Sequence, residues 1–158
     1  MKRIALIALS ALLLTGCAPQ KTDNNSIFET DINTFCDNIV KIDASINQIS
    51  NISADEEGLA AAKADLLKCL DQLNDQFRMF ANMDFPEEYD YLEDMADEAS
   101  EYMIEAVDTY HTMYEDDGYN VNLEEYADEN YARAYKRVRI ITALLRGETP
   151  NEEGLTIQ

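Results

Sequence analysis

The sequence predicts an all-α protein, an antiparallel up-down-up-down four-helix bundle. In four segments of about 25–30 residues, apolar residues recur at alternating steps of three and four. Ser, Pro and Gly residues separate the segments, and no strand-like alternation of polar and apolar residues is present. Each segment has one apolar stripe and otherwise polar faces, so the four helices are expected to share a single core.

The first predicted helix has the most regular apolar stripe. Ser26 and Glu29 have the Ser-x-x-Glu spacing of a capping box, which predicts a helix start at Ser26. The predicted core positions are Phe28, Ile32, Phe35, Ile39, Ile42, Ile46 and Ile49. The polar residues expected on the other faces include Lys41, Asp43, Asn47 and Gln48.

The second predicted helix starts at a second capping box, Ser53 to Glu56, and ends before Pro86. Pro86 is accepted in the first turn of a following helix, where its missing N–H is no loss. The predicted core positions of the second helix are Leu59, Ala62, Leu66, Leu70, Leu73, Phe77 and Phe80, with Leu67, Cys69 and Met83 beside them.

The third and fourth predicted helices are separated by Gly118. Asn122 and Glu125 predict the start of the fourth helix, and Gly147 with Pro150 predicts its end. The predicted core positions are Leu92, Ala96, Ala99, Met103, Ala106, Tyr110 and Met113 in the third helix, and Leu123, Ala127, Ala134, Val138, Ile141 and Leu145 in the fourth. The bundle is therefore expected over residues 27–147, with a frayed tail at 148–158.

The N-terminus has the layout of a secretory signal. Lys2 and Arg3 precede an eleven-residue apolar run, 4–14, which as a helix would span about 16 Å, too short to cross a bilayer. The run ends in Leu14-Thr15-Gly16-Cys17. This motif resembles the lipobox of bacterial lipoproteins.

That resemblance implies removal of the signal peptide, residues 1–16, and a diacylglyceryl group on Cys17. The membrane would then be a partner through this N-terminal lipid, on the outer face of the bacterial cytoplasmic membrane. Residues 18–26 are polar, and residues 17–26 would form the lipidated Cys and its tether. The alternative is an ordinary cleaved signal followed by an incidental Cys.

The charge balance excludes one class of partner. The chain has 12 basic and 32 acidic residues, a net charge of −20, and loss of Lys2 and Arg3 with the signal would make it −22. Such a surface repels nucleic-acid phosphates and anionic lipid headgroups. We therefore expect no nucleic-acid binding, and a body that stands off the bilayer.

Two cysteines follow Cys17. A turn near Ile52 would bring Cys36 and Cys69 to the same level of a helical hairpin, which predicts a disulfide between them in an oxidising compartment. Two buried free thiols are the alternative.

The charges of the third and fourth helices are complementary. From Asp84 to Asp117 there are 14 carboxylates and no Lys or Arg, whereas the fourth helix holds five basic residues. A hairpin turning near Gly118 would place the carboxylates of one helix opposite the cations of the other. The predicted pairings are Glu98 and Glu101 with the Arg133–Arg137 group, Asp97 with Arg139, and Asp90 with Arg146. A cation or partner site is the alternative explanation of the acidic run.

No metal, cofactor or catalytic constellation is predicted. Asp108 and His111 match half of a di-iron bundle motif, but His111 is the only His in the chain, so it is expected to be a polar flank residue. The turn before Gly118 resembles an EF-hand loop in part, yet its first ligand position falls on Met113. Weak cation binding by Glu115, Asp116 and Asp117 is left open. No nucleophile has a base nearby, so we expect no enzyme activity.

All nine Tyr lie between Tyr89 and Tyr135. Most are expected in the core or at its shoulder with their hydroxyls in water. The candidates for a partner surface are Tyr89, Tyr91, Tyr119, Tyr126 and Tyr131.

Beyond its signal, the chain resembles small acidic four-helix lipoproteins that have no assigned role. We expect a membrane-anchored, extracytoplasmic interaction module without enzyme activity that contacts an unknown protein through the third and fourth helices. The alternative is a lipoprotein that binds a small ligand or cation. A continuous exposed Tyr patch would favour the first function, and an enclosed pocket with converging polar groups the second.

Overall fold

The computed structural model describes residues 23–50, 56–115 and 120–150, and over these ranges it contains four long α-helices and no strand. A short 3-10 helix, Glu87–Leu92, precedes the third of them. The long helices are α1 Asp23–Ser50, α2 Glu56–Ala81, α3 Glu93–Glu115 and α4 Val121–Leu145. They form the predicted four-helix bundle. The predicted signal peptide (residues 1–16), Cys17, Tyr119 and residues 151–158 lie outside the described residues.

Three helix starts differ from the prediction. The third helix, expected to have Pro86 in its first turn, begins as an α-helix only at Glu93, after the 3-10 helix that follows Pro86. Helix α1 begins at Asp23, and the Thr30 hydroxyl donates to the Ser26 carbonyl inside it, so Ser26 is not the cap and residues 23–26 are not tether. Helix α4 is capped by Asn120, whose side-chain oxygen accepts a hydrogen bond from the Asn122 amide at 2.8 Å. Asn is a favourable N-cap residue. Because Asn120 already satisfies a free N–H of the first turn, the helix begins before the predicted start at Asn122.

The end of α4 follows the prediction. Gly147 has φ +71°, a left-handed conformation that favours glycine. The Gly147 amide donates to the Leu144 carbonyl and the Glu148 amide to the Ala143 carbonyl, both at 2.9 Å. This is a Schellman motif, which satisfies carbonyls that the last helical turn leaves free.

The core follows the four predicted stripes closely. All seven predicted positions of the third helix are buried, with Leu92 in the 3-10 helix and the other six in α3. On α1, Ile42 and Ile49 are half-buried and the other five predicted positions are buried. On α2, 37% of Leu59 is exposed and Ala62 is half-buried, while the other five predicted positions are buried. Rings of Phe28, Phe35, Phe77, Phe80 and Phe85 contact one another through this core.

The register of α1 against α2 contradicts the geometry behind the predicted disulfide. The Phe35 ring stacks on Phe80 with centroids 4.4 Å apart, and the Asn38 amide donates to Gln76 at 2.9 Å. Cys36 is therefore level with residue 78, about 13 Å along the axis from Cys69. Both cysteines are free thiols, because a disulfide needs Cα atoms within about 7 Å.

The helices do not approach one another equally. The backbones of α3 and α4 come close along much of their length, and α2 lies close to both α1 and α3. The backbones of α1 and α4 remain further apart, and long side chains fill the space between them. We call this region the α1–α4 seam.

Candidate functional site

The candidate tyrosines do not form one surface. Tyr91 and Tyr126 are exposed, at 64% and 46%, and Tyr89 is half-buried. Tyr131 is buried, so its assignment to a partner surface is wrong. Tyr126 contacts Glu105, and Tyr91 lies 14 positions earlier in the chain than Glu105, about 20 Å away along the bundle. The exposed tyrosines are therefore too far apart for a continuous patch.

A smaller surface combines tyrosine with arginine. The guanidinium carbons of Arg133 and Arg137 lie 5.6 and 5.7 Å from the centroid of the Tyr102 ring, within cation–π range. The Tyr126 hydroxyl donates to Glu105 at 3.3 Å on the same side of the two helices. We define the outer α3–α4 face as Glu98, Tyr102, Glu105, Tyr126, Arg133 and Arg137.

One predicted ion pair anchors this face. Arg137 Nε donates to Glu98 Oε2 at 2.6 Å, as predicted. Two other predicted pairs are wrong: Arg146 pairs with Glu148 at 3.1 Å, and Arg139 Nε donates to the Tyr135 carbonyl at 3.4 Å. These arginines bond within α4 or just beyond its end, so they do not reach Asp90 and Asp97.

The α3 carboxylates consequently remain largely uncompensated. Arg133 pairs with Glu129 of its own helix, four residues earlier. The exposed acidic residues along the 3-10 helix and α3 include Asp90, Asp94, Asp97, Glu101 and Asp108. Pairing with basic residues of α4 therefore explains only part of the acidic run from Asp84 to Asp117.

The α1–α4 seam contains a buried carboxylate. Asp43 is 6% exposed, although the sequence analysis predicts a solvent-facing position for it. Its Oδ1 accepts hydrogen bonds from the Tyr131 hydroxyl at 2.5 Å and the Tyr135 hydroxyl at 2.7 Å. The two tyrosine rings stack with centroids 4.9 Å apart, and Phe77 of α2 packs edge-on against Tyr135. We call Asp43, Tyr131 and Tyr135 the seam cluster.

Burial controls the protonation of the seam cluster. Desolvation raises the pKa of Asp43, and the two hydroxyl donors oppose it only in part. Burial beside this carboxylate raises the pKa of Tyr131 and of Tyr135 well above the ordinary range, so both hydroxyls stay protonated and act as donors. The cluster can therefore exchange a proton at Asp43 alone.

A second Asp–Tyr pair lies nearby. The Tyr110 hydroxyl of α3 donates to Asp128 Oδ1 of α4. Burial raises the pKa of Tyr110 and of Asp128, and Tyr110 is close enough to Tyr131 to influence its pKa. Polar groups of three helices thus meet inside the bundle.

Sequence reasoning missed the seam cluster, although a signal was available. Asp43 lies four residues after Ile39 and three before Ile46, which places it on the core side of α1. Tyr131 and Tyr135 share one face of α4 at the same four-residue spacing. A carboxylate at a core position of a helix indicates donors on a neighbouring helix.

His111 is a polar flank residue, as predicted. Its Nε2 lies 2.8 Å from Asp71 Oδ1, so it connects α3 to α2. Within the described ranges no three His, Cys, Asp or Glu side chains are grouped closely enough to hold a metal ion. The acidic turn at Glu115, Asp116 and Asp117 lies outside the described side chains.

The two described thiols differ in their surroundings. Burial raises the pKa of Cys36 to about 11, with Asp37 adding to the effect and Arg146 of α4 opposing it. Burial also raises the pKa of Cys69, which is only half-buried. Both thiols therefore stay protonated near neutral pH and are weak nucleophiles.

The helices between Asp23 and Leu145, as far as they are described, are not long and apolar enough to cross a membrane. No protein-family model matches the chain, and no similar protein was found among curated sequences or solved structures.

Proposed function

We propose that the chain is a lipid-anchored interaction module on the outer face of the bacterial cytoplasmic membrane, without enzyme activity. It contacts its protein partner through the outer α3–α4 face. The observation that supports this most is the grouping of Tyr102, Tyr126, Arg133 and Arg137 on one side of α3 and α4. Tyr and Arg, together with Trp, are enriched among the few residues that contribute most binding energy in protein interfaces.

The sequence supports the anchor. The lipobox-like stretch Leu14-Thr15-Gly16-Cys17 follows a short apolar run and precedes the bundle by a few residues. Since α1 begins at Asp23, the chain between Cys17 and Asp23 spans at most about 20 Å. The nearest end of the bundle would therefore stay close to the headgroups, while its acidic surface is repelled by them.

The surplus of carboxylates favours a basic partner. Glu98 is paired with Arg137, but Asp94, Asp97 and Glu101 beside it are exposed. A row of like charges raises the association rate of a cationic surface, and salt screens the attraction. We therefore expect binding that weakens as ionic strength rises.

The anchor is tested by metabolic labelling with an alkyne fatty acid. The wild-type protein and a Cys69→Ala variant should incorporate the label, and a Cys17→Ala variant should not. Equal labelling of the Cys17→Ala variant, or an unlabelled wild type, would contradict lipidation at Cys17.

The contact face is tested by photo-crosslinking in cells. A photoreactive phenylalanine replaces Tyr126 in one variant and the exposed Asp75 of α2 in a matched control. The variant at position 126 should give a discrete crosslinked product whose yield falls with salt. Equal yields from positions 126 and 75 would exclude the outer α3–α4 face.

A further inference from the structure

The α1–α4 seam is closed by side chains, with little direct backbone contact. Asp43, Tyr131 and Tyr135 are 6, 7 and 4% exposed, and both hydroxyls donate to the same carboxylate oxygen. The backbones of α1 and α4 stay apart here, and the hydrogen bonds from Tyr131 and Tyr135 to Asp43 bridge the gap between them. Opening the seam would break side-chain contacts and would leave the α3–α4 packing intact.

Few groups face the Asp43 carboxylate. On α4 these are the Tyr131 and Tyr135 hydroxyls; on α3 the nearest titratable groups are Tyr110 and, beyond it, Asp128, which the Tyr110 hydroxyl contacts. From α2 the contribution is the Phe77 ring against Tyr135. Among the described residues no Lys, Arg or His pairs with Asp43, and Arg139, one turn beyond Tyr135, donates to a backbone carbonyl instead.

The stability of the closed seam depends strongly on whether the Asp43 carboxyl group is charged. Ionised Asp43 has two hydroxyl donors and no counter-ion, and water would solvate it better than the closed seam does. Neutral Asp43 can still accept both hydrogen bonds, without the cost of burying a charge. The protonation state therefore biases the seam between closed and loosened arrangements.

We propose that the seam cluster is a proton-controlled latch. Protonated Asp43 holds α1 against α4, and ionised Asp43 loosens the seam. The closed seam binds the proton more tightly than the open chain does, because burial raises the pKa of Asp43. Closure is therefore strongest below the ordinary aspartate pKa and weakens as pH rises through the raised value. The latch depends on the described bundle alone and is independent of lipidation.

The test is amide hydrogen exchange by mass spectrometry from about pH 4 to about pH 8, after correction for intrinsic exchange rates. In the wild type, protection of peptides from the second half of α1 and the middle of α4 should fall several-fold across this range. Asp43→Asn should greatly reduce this dependence, and what remains in α4 is the contribution of Asp128. Asp75→Asn, which removes an exposed α2 carboxylate, should behave like the wild type and so control for net charge.

Equal pH dependence in the wild type and Asp43→Asn would overturn the latch. Carbon-13 NMR of the Asp43 side-chain carboxyl provides a second measurement that needs no variant. Its titration should share a midpoint with shifts of the Tyr131 and Tyr135 amides. An Asp43 titration with no movement of these amides would also overturn the proposal.

Discussion

Helices α3 and α4 meet across small residues, whereas α1 and α4 meet across large polar ones. Five alanines are fully buried on α3 and α4, and these two backbones lie close together. At the α1–α4 seam two tyrosines span a wider space and end at a carboxylate. The same helix, α4, is therefore held on one side by close packing and on the other by hydrogen bonds.

The difference shows which contacts tolerate change. An interface of alanines has no room for larger side chains, because interiors are close-packed. A seam that buries a carboxylate without a cation depends on its hydrogen bonds, and each is costly to lose once its partner is buried. Substitutions on the α3 side of α4 should therefore destabilise the fold by steric overlap, and those on the α1 side by loss of buried hydrogen bonds.

The largest effect is expected at Tyr135. Tyr135→Ala removes a ring that contacts Phe77 and Tyr131 and leaves a cavity, so the free energy of unfolding should fall by about 3–5 kcal/mol. Equilibrium urea unfolding followed by circular dichroism measures it. The matched change at the exposed Tyr91, Tyr91→Ala, should cost less than about 0.5 kcal/mol. Similar losses at both sites would show that the seam contributes little.

A smaller loss is expected from added bulk between α3 and α4. Ala134→Leu inserts three carbons at a fully buried site and should lower the free energy of unfolding by about 1–3 kcal/mol. Ala64→Leu, on the exposed side of α2, is the control and should be nearly neutral. An equally neutral Ala134→Leu would contradict the close packing of α3 against α4 at this position.

The third effect is a stability difference that depends on pH. The raised pKa of Asp128 means that this group stabilises the fold below the ordinary aspartate pKa and less so as pH rises through its raised value. The stability of Asp128→Asn relative to the wild type should therefore improve from about pH 3 to about pH 7. Urea unfolding at both pH values measures it. A relative stability that worsens with pH would contradict burial of this carboxylate.

The smallest effect is expected for the Glu98–Arg137 ion pair. Both side chains are partly exposed, so a double-mutant cycle with Glu98→Ala and Arg137→Ala should give a coupling energy of about 0–1 kcal/mol. Near 1 M salt the coupling should become too small to measure. A coupling that survives high salt would show that the pair is more buried than its geometry indicates.

The sequence contained most of the fold. Steps of three and four from Leu92 to Met113 predicted seven positions that are all buried, since apolar burial depends mainly on helical periodicity. The Glu98–Arg137 pair was also predictable, because α3 and α4 are joined by a short connection that fixes their register.

The rest depended on features that periodicity does not encode. A shift in the α1–α2 register separated Cys36 from Cys69, and such a shift leaves both apolar stripes intact. The charged side chain of Asp43 predicts exposure to solvent, although its position on α1 faces the core. Its burial depends on the reach of Tyr131 and Tyr135 from a helix 88 positions later in the chain.

The orientation of α1 also determines how the molecule would carry a mechanical load. A pull on Asp23 against a partner gripping α3 and α4 would act along the axis of α1, a 28-residue helix. Such a pull shears many side-chain layers simultaneously and cannot peel them apart one by one. Resistance to extension would then come chiefly from the contacts of α1 with α2 and from the seam cluster, so that tension would load the hydrogen bonds to Asp43 together with the α1–α2 core.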